Sequence, residues 1–380
     1  MKNSFNIISY SRKQLSMLQS SGLSILFIAV VIIFTSCKKE PDDNTNNKPP
    51  LPPESSAIYV LNQGSYNGNN ASVTLYNMQD STIVPDYFLA QNDRKLGDTG
   101  ADMFIYGSKA YIVTNVSSQL EIVDAVTFKS IKQIGFFKND IPRQPSAITG
   151  YDGKIYVAAY DNTVTVLDTT SLDTIKVIKT GLNPDALLAA YGKIWVSNSG
   201  GLNFLTGYDS TISVIDPVSL TETKKITVGT NPYTLQADAY GDIYVITRGN
   251  YNDIKMRLKV IDAESGTIKH TFNDFEAYNF TIRGDTAYVY HYDFNGSGTS
   301  SIMLINVKTE EVITKNFITD GTQIQTVYSI AADPSSNDIY IGDAKGFQGN
   351  GMVYCFGVNG KLKKSFQAGV NPFGIRFLMK

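Results

Sequence analysis

The sequence predicts an all-β fold, a seven-bladed β-propeller of four-stranded antiparallel blades with its ring closed by the C-terminal strand. Three observations predict it. A short aromatic strand recurs seven times at a near-constant spacing, every copy has the same neighbouring segments, and the chain ends on one strand more than those copies require.

The copies are IYVL at Tyr59, AYIV at Tyr111, KIYVA at Tyr156, KIWVS at Trp195, DIYVI at Tyr244, AYVY at Tyr288 and DIYIG at Tyr340. Their spacing averages about 47 residues, within the length range of four-stranded propeller blades. An apolar strand and a Gly turn precede the typical copy, and a strand ending in Asp and then a charged strand follow it. PSAITGYDGKIYVAAYDNTVTVLDTTSLDTIKVIKTG shows all four. TVTVLD alternates, and the segments between strands are too short for crossover helices, so each blade is an antiparallel meander and helices have no evident place. The aromatic residue that recurs once per blade marks packing positions, not ligand contacts.

The first copy has no inner strand before it, whereas NPFGIRFLMK follows the seventh. The strand around Ile375 and Phe377 is therefore expected to pair with Ile58 to Leu61, closing the ring and removing its open edges. Cys355 lies in the alternating run MVYCFGV and reads as a small buried hydrophobe.

Ahead of the repeats, Lys2, Arg12 and Lys13 precede an apolar stretch from Leu23 to Phe34 that ends in Thr35, Ser36 and Cys37. This stretch is shorter than the roughly 20 apolar residues a spanning helix needs, so it reads as a signal peptide. The small residues before Cys37 resemble a lipobox, which implies cleavage and lipidation at Cys37. The expected organisation is a signal peptide over 1–36, a lipidated, Pro- and Asn-rich tether over 37–56, and the propeller over 57–380. With Cys37 lipidated, Cys355 has no partner, and no disulfide framework is expected.

Lys and Arg number 33 against 35 Asp and Glu, and the first 36 residues hold three of those cations and no acid. The remaining chain is acidic, which sets nucleic acid aside as a partner, since that affinity rests largely on cations neutralising phosphates. Only His270 and His291 are present, so a three-histidine metal site is excluded. No nucleophile elbow, phosphate-binding loop or EF-hand loop occurs. The single tryptophan disfavours a quinoprotein dehydrogenase, whose blades carry repeated docking tryptophans. A non-enzymatic role with no cofactor and no metal is expected.

Antiparallel order puts the start of each inner strand and the end of each second strand at one face. Residues flanking those points form an amide- and aromatic-rich rim suited to polar organic ligands. The candidate ligand-binding residues are Tyr66, Asn115, Arg143, Tyr160, Asn198, Tyr233, Arg248, Tyr251, Tyr278, His291, Tyr292 and Phe373. The Asn-Pro pairs at 183, 231 and 371 read as turn-setting elements, because Asn tolerates the left-handed region and Pro fixes φ. SGGLNFLTGYDS, RGNYNDIKMR, YDFNGSGTS and DAKGFQGNG lengthen connections on the same face, where long loops wall a pocket or meet a partner.

YIVTN at 111–115 and NSGG at 198–201 resemble YVTN-type, YncE-like propeller repeats. LNQGSYNGNNASVTLYN and LGDTGADMFIYGSKAYIVTNVSSQLEIVDA are similar to the first blades of Bacteroidota surface propellers, a group that includes the BtuG-type cobalamin-capturing lipoproteins. The resemblance implies a lipid-anchored outer-membrane protein at the cell surface. It would capture a nutrient, cobalamin or another corrinoid, for an outer-membrane transporter. Two other readings stay open: a surface scaffold that binds a protein or glycan, and, ranked last, a propeller enzyme.

Overall fold

The computed structural model describes residues 54–292 and 300–380. The signal peptide, Cys37 and the tether as far as residue 53 fall outside the described residues, as does the loop over 293–299; the tether expected to reach 56 ends earlier, because Ser55 and Ser56 already belong to a strand that pairs with the C-terminal one.

Seven four-stranded antiparallel sheets follow one another along the chain, each running from an inner to an outer strand. The inner strands of blades two to seven are Gly100–Tyr106, Pro145–Tyr151, Pro184–Ala190, Pro232–Ala237, Asn279–Arg283 and Val327–Ala332. The first blade takes its inner strand, Pro372–Met379, from the C-terminus. Ile58 pairs with Phe377, and Val60 with Ile375, as the leftover strand in the sequence requires.

Helix is almost absent. Tyr87–Asn92 forms one short helix, capped at its start by the Asp86 carboxylate accepting from Leu89 N–H. A two-stranded hairpin, Phe137–Lys138 with Ile141–Pro142, decorates the connection into blade three. Among the described residues no helix is long and apolar enough to cross a membrane.

Apolar clusters lie between neighbouring blades. Tyr59 and Leu61 of blade one pack with Met103 and Ile112 of blade two, and Tyr340 of blade seven packs with Ile58 and Ile375 of blade one. The recurring aromatics Tyr59, Tyr111, Tyr156, Trp195, Tyr244, Tyr288 and Tyr340 are all buried in these seams. Two of them also tie one blade to the next, Tyr59 donating to Ala125 O (2.6 Å) and Tyr244 to Val307 O (2.9 Å). Cys355 is buried in the closing seam.

The Asp that ends the third strand serves the turn after it. Asp124, Asp168 and Asp216 each accept from backbone N–H groups two and three residues on, and Asp262 accepts from Ser265 N–H. Asn77 and Asn306 take the same place in blades one and six. A short side chain with an exposed oxygen closes this turn whether charged or neutral.

Candidate functional site

The site begins with a backbone device at the start of the inner strands. In five blades the preceding residue is left-handed: Thr99 (φ 57°), Gln144 (55°), Asn183 (42°), Asn231 (59°) and Asn371 (56°). Its carbonyl accepts from the residue after the second strand, as Thr99 O does from Asn115 N, Gln144 O from Tyr160 N and Asn231 O from Arg248 N. One residue later the pairing slips. The register jumps between Gly100 and Asp102, Pro145 and Ala147, Pro184 and Ala186, Pro232 and Leu235, Val327 and Ser329, and Pro372 and Gly374. In blade six Tyr278 N and the paired Asn279 both face Tyr290.

A β-bulge re-aims the side chain of the extra residue. Here each blade aims one at the axis: Phe373, Ala101, Ser146, Asp185, Tyr233, Tyr278 and Tyr328, in ring order, all line a central cavity of about 440 Å³. Its wall is lopsided. Of these seven side chains, those of blades five, six, seven and one are aromatic, whereas those of blades two, three and four are two small side chains and a carboxylate; Tyr160 of blade three and Phe280 of blade six line the cavity as well.

Arg248, at the end of the second strand of blade five, reaches into the aromatic side. Its guanidinium carbon lies 3.2 Å from the Tyr233 ring centroid and 4.9 Å from that of Tyr278. Its Nε is shielded from solvent and has no hydrogen-bond partner. Burial alone would lower its pKa, but the facing tyrosines and Asp185 hold it well above the ordinary arginine value, so it stays charged.

Asp185 accepts from Tyr160 Oη (3.0 Å), and burial raises its pKa against the opposing pull of Arg248. Tyr328 Oη donates to Gln63 Oε1 (2.5 Å), and its backbone carbonyl accepts from Tyr290 Oη (2.9 Å). Further along the channel Asp102 meets Arg376 Nη2 (2.6 Å) and accepts from Ile148 N–H of the next inner strand. Gln236 bridges blades five and six, donating to Phe280 O and accepting from Ile282 N–H.

Of the residues expected from the sequence, Asn115, Tyr160, Tyr233, Arg248, Tyr278 and Phe373 come together in this cavity. Arg143 does not line it. Its guanidinium is engaged by Asp161 Oδ2 (2.7 Å), Thr163 and Thr165, and lies over Phe136. Asn198 is buried in its own blade, donating to Thr211 and Ser213 and accepting from Gly181 N–H, much as Asn62 does in blade one. Tyr66 stands on an outlying loop, 75% exposed, and Tyr251 stands half-exposed with its ring edge-on to Tyr208. His291 and Tyr292 end a second strand, and their side chains lie outside the described residues.

Asp102, Gln236 and Arg376 lie deeper in the inner strands than the strand ends that define the expected rim, and Asp185 stands second in its strand, as Tyr233 and Phe373 do in theirs. A signal for Asp185 existed: Ser146, Asp185, Tyr233 and Phe373 each follow a Gln-Pro or Asn-Pro pair. The asparagines of those pairs hold the turns, as expected: Asn183 Nδ2 donates to Tyr160 O, and Asn371 Nδ2 to Gly64 O.

Fold and cavity together define a closed seven-bladed β-propeller with a polar, aromatic-sided axial cavity. Within that class the chain belongs to the family described as a domain of unknown function, DUF5074, whose model matches residues 56–371. No curated protein matches the sequence.

Similar solved structures include hydrazine synthase from Kuenenia stuttgartiensis, with 17% identity, a TM-score of 0.59, and 72% of this chain and 88% of that chain covered. A quinonprotein alcohol dehydrogenase-like protein from Bacteroides thetaiotaomicron VPI-5482 is 14% identical with a TM-score of 0.62, covering 86% and 79%. The computationally designed Ika8 protein is 13% identical with a TM-score of 0.56, covering 86% and 92%. At such identities these likenesses show the fold alone.

Proposed function

We propose that this propeller is a binding module that captures a small polar organic molecule in its axial cavity and performs no chemistry on it. The observation that carries this reading is the convergence of one bulged side chain from every blade on a single cavity, beside a charged guanidinium with an unused donor. A volume of about 440 Å³ lies within the range of about 300–1,000 Å³ typical of pockets for drug-sized ligands. The aromatic rings that line it supply contact area at low entropy cost, and the amides and carboxylate supply direction.

The finer reading is a lipoprotein held by Cys37 at the outer surface, passing a nutrient such as cobalamin or another corrinoid to an outer-membrane transporter. Chain direction supports it. The second strand of blade one, Ser55–Asn62, runs from the end where the tether joins to Gln63 at the cavity. Eight extended residues span about 23 Å at a rise near 3.3 Å each, so Ser55, at the start of this strand, stands about that far from Gln63 at the cavity. A corrinoid exceeds this cavity and would lie across the mouth with only part of it inside.

A surface scaffold is the second reading. The loop between the second and third strands of blade four exposes Leu202, Phe204 and Leu205 on the face of the cavity mouth, apolar surface that a partner could cover.

The test is the thermal midpoint of the purified protein against corrinoids, oligosaccharides, neutral metabolites and organic acids, since a ligand that binds only the folded state raises the midpoint. A shift that is lost in Asp185→Ala and Tyr233→Leu supports capture in the cavity. No shift with any compound sinks that reading and favours the scaffold.

A further inference from the structure

Resting on the reading of the cavity as a ligand site, we propose that its ligand carries a carboxylate on an aromatic body, with Arg248 as its anchor. The guanidinium has five donors in a planar fork, and it is held here by ring faces, not by acceptors. An arginine placed for structure alone normally spends its donors on oxygen acceptors, as Arg143 does on a carboxylate and two hydroxyls and Arg376 on a carboxylate and carbonyls in this same molecule. Arg248 differs from both, with its shielded Nε unpartnered.

The acid facing Arg248 does not take that place. Asp185 acts on it through space only, and one of its oxygens already accepts from Tyr160. The fork is left for a planar acceptor, which a carboxylate matches with two parallel bonds.

The rest of the ligand is set by the arc beside the arginine. Tyr328 and Phe373 stand with ring centroids 5.7 Å apart and planes tilted by 59°, next to Tyr278. Such faces and edges suit a flat ring, and among the described residues Tyr278, Tyr328 and Phe373 bring no second cation beside Arg248, while Arg376 further along the channel is engaged by Asp102. Asp185, on the opposite wall, disfavours a dianion and accepts from any donor that the ring bears.

The experiment is calorimetric titration with shape-matched pairs that differ in charge: benzoate against benzamide, and 2-naphthoate against 2-naphthamide, with inorganic phosphate as a third probe. Each is measured on the wild type, Arg248→Met and Arg248→Lys, with the midpoint of each variant confirming that it folds. The acids are expected to bind and the amides to bind about ten- to a hundredfold more weakly, the range for one hydrogen-bonded charge. Arg248→Met is expected to abolish that difference. Arg248→Lys, which keeps the charge but not the fork, is expected to recover only part of it.

Amides binding as well as acids, or acids binding Arg248→Met unchanged, would overturn the proposal while leaving the cavity a ligand site. Phosphate binding in preference to both acids would overturn the carboxylate assignment. No binding by any probe would overturn the proposal as well, and the broader panel above then decides whether the cavity takes a ligand at all.

Discussion

The guanidinium of Arg248 lies over the ring of Tyr233, 3.2 Å from carbon to centroid, and the backbone explains the pairing. Arg248 N–H donates to Asn231 O (2.8 Å), which fixes the end of the second strand against the residue two places before Tyr233. The left-handed Asn231 and the bulge after Pro232 then turn the ring inward, beneath the arginine.

Removing that ring should cost stability even without ligand. Tyr233→Leu is expected to lower stability by about 1–2 kcal/mol, the range of a partly desolvated cation–π contact. Tyr233→Phe, which keeps the face, should fall by much less. Chemical denaturation of the three proteins checks this; equal losses for Leu and Phe would assign the effect to the hydroxyl.

The repeat aromatics separate into two kinds. Tyr59 Oη donates to Ala125 O, whereas Tyr111 Oη is buried with no partner. Tyr59→Phe leaves a buried carbonyl unsatisfied and is expected to cost about 1–2 kcal/mol. Tyr111→Phe removes an unsatisfied hydroxyl and should be neutral or stabilising. Equal destabilisation by both substitutions, in denaturant titrations, would contradict this assignment.

Closure of the ring rests on the last strand. Arg376 binds both Asp102 and Met103 O of blade two, so it bolts blade one to its neighbour. Arg376→Ala should destabilise by about 1–3 kcal/mol, because a charged partner loses its bond. Deleting 371–380 should instead abolish the single cooperative melt, since it exposes Ile58 and Val60 along an unpaired edge. A truncated chain that melts once, near the full-length midpoint, would refute the closure argument.

Acid should loosen the turns at the ends of the third strands. Backbone N–H groups, chiefly those of Thr127, Ser171 and Ser265, hold Asp124, Asp168 and Asp262 below the ordinary carboxylate pKa. A depressed folded pKa means that the unfolded chain binds more protons. This stability is therefore present above the unfolded value, about 3.9, and lost as pH falls below it. The midpoint of the wild type should drop as pH falls below about 4. A D124N/D168N/D262N variant, using the side chain that Asn77 and Asn306 already supply, should drop less. Parallel curves would show that these turns do not set the acid limit.

The fold was legible because it is written in periodic, local terms. An apolar seam between blades needs one aromatic residue at the same place in every copy, and Tyr59 through Tyr340 repeat it. The extra strand at the end of the chain announced the closure by counting alone. Half of the expected site residues reached the cavity for a similar reason: antiparallel order fixes which strand ends share a face, so Tyr160, Arg248 and Tyr278 could be placed without coordinates.

Which side chains turn inward was decided by tertiary structure. Arg143 and Arg248 hold equivalent promise as sequence, each an arginine breaking the repeat near the rim. Arg143 found Asp161 and two threonines in its own blade and was consumed by them. Arg248 found only the rings of Tyr233 and Tyr278. Local strand pairing obeys a period of two that any segment displays, but a bulge shifts that period by one residue and moves a side chain to the other face. Asp185 was hidden by that shift. The sequence by itself determined seven blades and the face on which they converge; only the packed ring decided which carboxylate and which guanidinium would meet at its axis.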